Sequence, residues 1–197
     1  MVRAVSVSSL DALTRYGELV AQWNARTNLT AAHAPRDLAG VLFADAFVLA
    51  DEAFIPRGSR IIDVGAGAGA PSLPLLLLRP DVSATLVEPR RLRVAFLRTA
   101  IGTLDLASRA TVLEEKIDPD RPQAPTVAHD VALSRATFAP AEWLAIALRL
   151  APRAIVLAAG ADALPDGHRV AERSYTTGDP SVPRAAAAYS AIAGSGA

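Results

Sequence analysis

The chain has 197 residues, with Lys+Arg 20 against Asp+Glu 20, three histidines and no cysteine. That length suits one domain with a small appendage, and it buries enough apolar surface to fold without a disulfide or a metal. Without cysteine there is no disulfide scaffold, thiolate zinc site or cysteine nucleophile, and His33, His129 and His168 are too few for a histidine-rich metal centre. The hydrophobic fraction of 51% against 20% charged is a globular balance rather than a disordered one. Zero net charge gives no long-range attraction to nucleic acid from the whole molecule, although a local basic patch remains open.

The N-terminal stretch meets Asp11 before any long apolar core, which does not read as a signal peptide. The leucine run at 73–78 is interrupted by Pro74 and stopped by Arg79-Pro80, far short of the roughly 20 residues that span a bilayer. A cytoplasmic monomer without membrane contact is the expectation. Lys116 is the only lysine. A coding bias explains that, while arginine also suits phosphate through bidentate bonding.

In chain order, Leu10, Leu13, Val20 and Trp23 recur at helical spacing with Ser8 or Ser9 as N-cap, and Gly17 weakens the pattern slightly. A turn is expected over 28–34. Pro35 then suits the first turn of a second helix reaching about Asp51, with Leu38, Val41, Leu42, Asp45 and Leu49 on one face. The character changes at Pro56-Arg57-Gly58. Arg60-Ile61-Ile62-Asp63-Val64-Gly65 reads as a buried strand ending in glycines. A helix over 71–78, a strand over 83–87, a helix over 90–104 and a strand over 110–113 follow. Residues 118–125 hold three prolines and read as loop. A short strand at 131–133, a helix over 141–150 with Trp143, Leu144, Ala147 and Leu148 on one stripe, and a strand at 154–157 complete the alternation. Segments 173–177 and 187–192 suit a closing antiparallel pair. The pattern predicts a Rossmann-like α/β fold, a mostly parallel sheet with helices on both faces over 58–197, carrying a helical cap over 1–57.

Gly65-Ala66-Gly67-Ala68-Gly69 lies where a strand turns into a helix, and glycines there let a ligand approach the backbone closely. Gly65, Gly67 and Ala70 also fit the dinucleotide fingerprint. Asp63 discriminates: a carboxylate beside the loop repels a pyrophosphate but suits the sulfonium and ammonium of S-adenosyl-L-methionine. Glu88, 25 positions after Asp63 (88 − 63) at the end of the second strand, suits a ribose diol and is shared by both cofactors. S-adenosyl-L-methionine is the favoured ligand; a dinucleotide, or a tight turn without ligand, stays open.

With these residues in view, the chain resembles the bacterial RsmG (GidB) family, methyltransferases of the seven-position nitrogen of guanine in small-subunit (16S) ribosomal RNA. Trp23-Asn24-Ala25-Arg26-Thr27-Asn28-Leu29-Thr30 is similar to the family's W-N-x-x-x-N-L-T. Asp45 matches the aspartate of H-x-x-D-S, and Asp63 to Pro71 matches D-V-G-x-G-x-G-x-P-G. Leu86-Val87-Glu88 with Arg93-Val94-Ala95-Phe96-Leu97-Arg98 resembles a strand-two acid followed by K-R-x-x-F-L, and Ser134-Arg135-Ala136 matches S-R-A. The chain departs from the pattern at Leu42 (family histidine), Ala46 (serine), Ser72 (glycine) and Ala159 (lysine). These departures bear on the acceptor more than on the cofactor.

The resemblance implies a class I methyltransferase fold of seven strands, with cofactor contacts from Asp63, Gly65, Gly67, Gly69, Ala70, Glu88 and Arg135. It places Lys116, Ile117 and Asp118, in the segment after the third strand, beside the adenine. Arg135, at the carboxyl end of the fourth strand, is the candidate catalytic residue, orienting the base or its phosphate. Asn28, Thr30 and Asp45 are candidate acceptor contacts, with turn capping the competing role for Asn28 and Thr30. Arg90, Arg91, Arg93 and Arg98 share one helix and suit a solvated face, or else RNA phosphates. The three histidines read as loop residues without a chemical role. The implied partner is ribosomal RNA or the 30S subunit. A small-molecule acceptor and a non-catalytic RNA- or protein-binding paralog are the alternatives.

Overall fold

A computed structural model describes residues 6–122, 127–178 and 182–191. Helix α1 (Val7–Thr27) starts one turn earlier than its leucines suggest, because Ser6 accepts from the Ser9 amide at 3.1 Å and caps it. Helix α2 (Pro35–Leu49) begins on its proline as expected. The core then alternates: β1 (Arg60–Val64), α3 (Ser72–Leu78), β2 (Ser83–Val87), α4 (Arg91–Thr103), β3 (Ala110–Leu113), β4 (Val131–Leu133), α5 (Pro140–Leu150) and β5 (Arg153–Ala158). The closing pair is longer than its sequence pattern shows, with β6 (Arg169–Thr177) and β7 (Val182–Ser190) pairing antiparallel. Ile192, assigned to that pair from sequence, lies outside the described residues.

The sheet runs β3-β2-β1-β4-β5-β7-β6, parallel through β5 and antiparallel beyond it. Side chains alternate across it, as a strand requires. Ile61, Leu133, Ile155, Ala186 and Ala188 pack with α1, α2, α3 and α4 on one face. Ile62, Ala132, Ala154, Val156, Ala185 and Ala187 pack with α5 on the other. The capping helices therefore share the sheet's core: Tyr16, Val20 and Leu42 are buried in one apolar cluster with Ile61 and Phe96. Trp143 on α5 donates its indole N–H to the Ile155 carbonyl at 2.8 Å, which satisfies the polar end of a buried ring. No helix among the described residues is long and apolar enough to cross a membrane.

Two residues that end a helix or lie in a loop, as their sequence reading has it, also make buried contacts. Arg79, which looks like a helix stop, is 1% exposed. It donates to both Asp81 oxygens, at 2.8 and 2.7 Å, and to the carbonyls of Ala50 and Ile55, both at 3.1 Å. This guanidinium clamps the end of α2 to the end of α3 and holds the Asp81 carboxyl well below its usual range. His129 is also not a free loop residue. It is buried before β4, with Nε2 at 3.0 Å from the Thr85 hydroxyl, and burial lowers its pKa.

Arg79→Ala removes one partner of a buried ion pair and leaves two carbonyls without a donor. The expected loss of folding free energy is about 3–5 kcal/mol, read by urea denaturation. A loss below about 1 kcal/mol would show that water replaces the guanidinium.

Candidate active site

The carboxyl ends of β1, β2 and β4 form one edge, where open α/β sheets bind their ligands. The loop leaving β1 is tied down from three sides. The amides of Gly65 and Ala66 donate to the Val87 carbonyl of β2 at 2.8 and 3.1 Å. The Ser134 hydroxyl after β4 donates to the Val64 carbonyl at 2.7 Å. The Tyr16 hydroxyl of α1 donates to the Ala68 carbonyl at 2.6 Å, and burial raises that phenol's pKa.

The glycines have distinct causes. Gly65 has φ +76°, and a Cβ there would fall 2.3 Å from the Thr137 hydroxyl. The turn after β4 thus adds a packing constraint at Gly65 to its left-handed backbone. Gly69 is held by packing, since a Cβ would meet Leu73 and Leu97 at under 3.0 Å. Gly67 alone of the three, at φ +58°, leaves room, its nearest neighbour being an Arg93 guanidinium nitrogen at 3.7 Å. Ala70, which completes the loop, is buried at 4% exposure.

Asp63 is 1% exposed and accepts from the Ser72 hydroxyl at 2.5 Å. The serine that replaces the family glycine therefore supplies a donor to a carboxylate the fold has taken out of water. Burial nevertheless pushes the Asp63 pKa up to about 7, opposed by the Ser72 bond and by Arg135, and reinforced by Glu88. Glu88 is 2% exposed. Its Oε2 accepts from the Gly67 amide at 3.0 Å, its Oε1 from the Arg90 amide at 2.9 Å, and Arg93 stands 4.0 Å away. A carboxylate offers about four lone-pair sites, so two backbone donors leave capacity for a diol. The open position at Gly67 beside this acid fits an adenosine ribose.

Arg135 joins α2 to the sheet. It donates to the Val41 carbonyl and lies 3.2 Å from Asp45 Oδ2. The second oxygen of Asp45 accepts from the Tyr175 hydroxyl of β6 at 2.5 Å. Asp45 and Arg135 are thus brought together, and Tyr175, which sequence reasoning missed, completes the group. Asn28 and Thr30 are not bonded to it. Asn28 is the exposed left-handed residue ending α1. Thr30 belongs to a turn closed by Asn24, accepting from the Ala32 amide at 3.2 Å while its own amide donates to Asn24 Oδ1 at 2.9 Å. Thr30 therefore serves the turn through its own bonds, and Asn28 through its left-handed backbone. Of the segment after β3, Ile117 is buried in one apolar cluster with Val64 and Val87, Lys116 is exposed, and Asp118 accepts from the Asp120 amide at 3.0 Å.

The sheet order, the glycine loop and the acid after β2 define the class I S-adenosylmethionine methyltransferase fold. Solved structures agree on that fold. The METTL16 MTase domain aligns over 94% of this chain and 82% of its own, with a TM-score of 0.58 at 13% identity. An S-adenosylmethionine-dependent methyltransferase from Thiobacillus denitrificans, in complex with S-adenosyl-L-homocysteine, aligns over 70% and 54%, with a TM-score of 0.51 at 14% identity. Residues 9–183 match the family described as rRNA small subunit methyltransferase G, and the chain belongs to that family. It is 34% identical over 137 residues to the ribosomal RNA small subunit methyltransferase G of Anaeromyxobacter dehalogenans, covering 70% of this chain and 62% of that protein. The chain spans about three fifths to two thirds of the length of the first curated relatives it matches.

A carboxyl whose folded pKa is raised binds its proton more readily than in the unfolded chain. Wild-type stability therefore loses an increment as pH rises from the unfolded value, about 4, toward 7, and the loss is complete above 7. Asp63→Asn keeps an acceptor for Ser72 and removes the titration. Its stability relative to wild type is expected to rise by about 2 kcal/mol between pH 5.5 and pH 8, measured by urea denaturation at both. A constant difference would contradict a buried, raised carboxyl.

Proposed function

We propose that this chain is an S-adenosyl-L-methionine-dependent methyltransferase acting on the guanine seven-position nitrogen of small-subunit ribosomal RNA. The observation that carries the reading is the gathering at one sheet edge of an open glycine position, a diol-accepting acid and an arginine anchored by α2. The family's relatives are named for that RNA.

The bound cofactor would supply a methyl group on a positively charged sulfur. Glu88 accepts from the ribose beside Gly67. Ile117 with Val87 offers an apolar wall for the adenine, while Lys116 and Asp118 edge it. Asp63, Gly65, Gly69 and Ala70 shape the loop, and the ionised Asp63 contributes a negative field to the edge. The accepting ring nitrogen already has a free lone pair, so no general base is required, and alignment supplies most of the acceleration. Methyl transfer would carry the positive charge from the cofactor's sulfur to the purine. The ionised form of Asp63 would place negative charge near that path, while the Asp45 carboxylate is engaged by Arg135 and Tyr175. Arg135 orients the purine or its phosphate from a guanidinium fixed by Asp45 and the Val41 carbonyl.

The neutral Ala159, where the family carries lysine, favours a second reading, a small-molecule acceptor. Labelled cofactor incubated with unmethylated small-subunit particles separates the two. Label in protein-free RNA, located at a guanine by nuclease digestion, is the expected result. Cofactor binding without label in the RNA would overturn the ribosomal reading and leave the small acceptor.

Glu88→Ala removes the diol acceptor. It is expected to weaken cofactor affinity at least tenfold, or about 1.4 kcal/mol, by calorimetry. Unchanged affinity would remove Glu88 from the ribose site.

A further inference from the structure

A cleft of about 490 Å³ opens beyond the carboxyl end of β5, on the far side of the Arg135 group from the glycine loop. Its lining includes Ala159, Asp162, Ser174, Tyr175, Thr176 and Arg184. Tyr175 lies directly opposite Arg184 across the β6–β7 ladder, so both side chains leave the same face of the sheet. That is the face on which the Tyr175 hydroxyl reaches Asp45, the carboxylate that fixes Arg135. The cleft and the candidate acceptor position thus share a wall. Tyr175 has its pKa raised by burial and by Asp45, so this wall stays a neutral phenol at any physiological pH.

Arg184 is exposed and, among the described residues, makes no hydrogen bond or ion pair; its charge acts on Tyr175. The ladder between β5 and β7 pairs Ala158 with Ala185, so the next step brings the Arg184 position beside Ala159. A cation is therefore present in space where strand five ends in alanine. Arginine there can bond phosphate bidentately. The carboxylate of Asp162 adds an acceptor suited to ribose hydroxyls and base amino groups, while Ser174 and Thr176, on either side of Tyr175, leave the opposite face of the hairpin. That mixture disfavours a bare anion, which Asp162 would repel, and suits a nucleotide. The volume lies in the range of small-ligand sites.

We propose that this cleft holds one nucleotide of the acceptor strand next to the methylated base, with its phosphate on Arg184. The inference rests on the ribosomal reading above and extends it to a specificity-determining contact supplied by the closing hairpin. Single-stranded RNA is recognised in this way, through splayed nucleotides bound at both phosphate and polar edges.

The test is steady-state methylation of unmethylated small-subunit particles by wild type, Arg184→Ala and Arg184→Lys across a salt series, with cofactor affinity measured alongside. Arg184→Ala is expected to raise KM for the particle about tenfold with kcat retained, and to flatten the log–log salt dependence by about 0.7. Arg184→Lys is expected to recover the slope and part of KM. An unchanged KM and slope in Arg184→Ala, with wild type active on RNA, would overturn the cleft and leave the ribosomal reading intact. Weakened cofactor binding in Arg184→Ala would mark the arginine as structural and likewise overturn it. Absence of transfer to RNA by wild type would overturn both.

Discussion

Asp63 is taken out of water at the end of β1, and the site is organised around that carboxylate. An isolated buried carboxylate costs several kcal/mol unless it is hydrogen-bonded, paired or protonated. Here all three remedies are partial. Ser72 donates to it, Arg135 attracts it from the end of β4, and its pKa is still raised to about 7. Glu88 stands close enough to raise it further. With Arg135 engaged by Asp45 and Arg93 4.0 Å from Glu88, Asp63 when ionised is the carboxylate of this edge without an ion-pair partner among the described residues. Such an edge favours a ligand that brings positive charge. The sulfonium and ammonium of S-adenosyl-L-methionine do so, whereas a pyrophosphate does not.

The same economy explains the cap. Helices α1 and α2 share the sheet's apolar cluster, and each sends one polar side chain into the edge. Tyr16 holds the glycine loop through the Ala68 carbonyl, and Asp45 holds Arg135. Both ties cross long sequence separations and fix parts that would otherwise be free loop ends. Preorganised groups of this kind matter most where chemistry depends on alignment rather than on an acid or base. The chain has no cysteine and few histidines, and the transfer proposed for it needs neither.

Much of the frame was legible in the sequence because its cues are local. Strands 83–87, 110–113 and 131–133 fall where short apolar runs stop at turns, and Pro35 starts α2. Asp45 on an otherwise apolar helix face was a visible signal, and the structure gives it two partners. Less legible were contacts set by tertiary packing. Tyr175 belongs to a hairpin with weak alternation, and its Asp45 partner is 130 positions away. The closeness of Thr137 to Gly65 comes from another loop, which no local pattern encodes. Asn28 and Thr30 carried a motif match, but short polar side chains serve turns equally well, and Asn24 holds that turn here.

The most direct test of a carboxylate-centred edge is calorimetric titration of S-adenosyl-L-methionine between pH 6 and pH 8 in two buffers of different ionisation enthalpy. A cationic ligand that favours the ionised form of Asp63 must bind more tightly as pH rises toward 8, and must release a fraction of a proton near pH 6. That tightening and that release are the expected results, both lost in Asp63→Asn. Binding that is independent of pH and releases no proton, or no binding at millimolar cofactor, would contradict it.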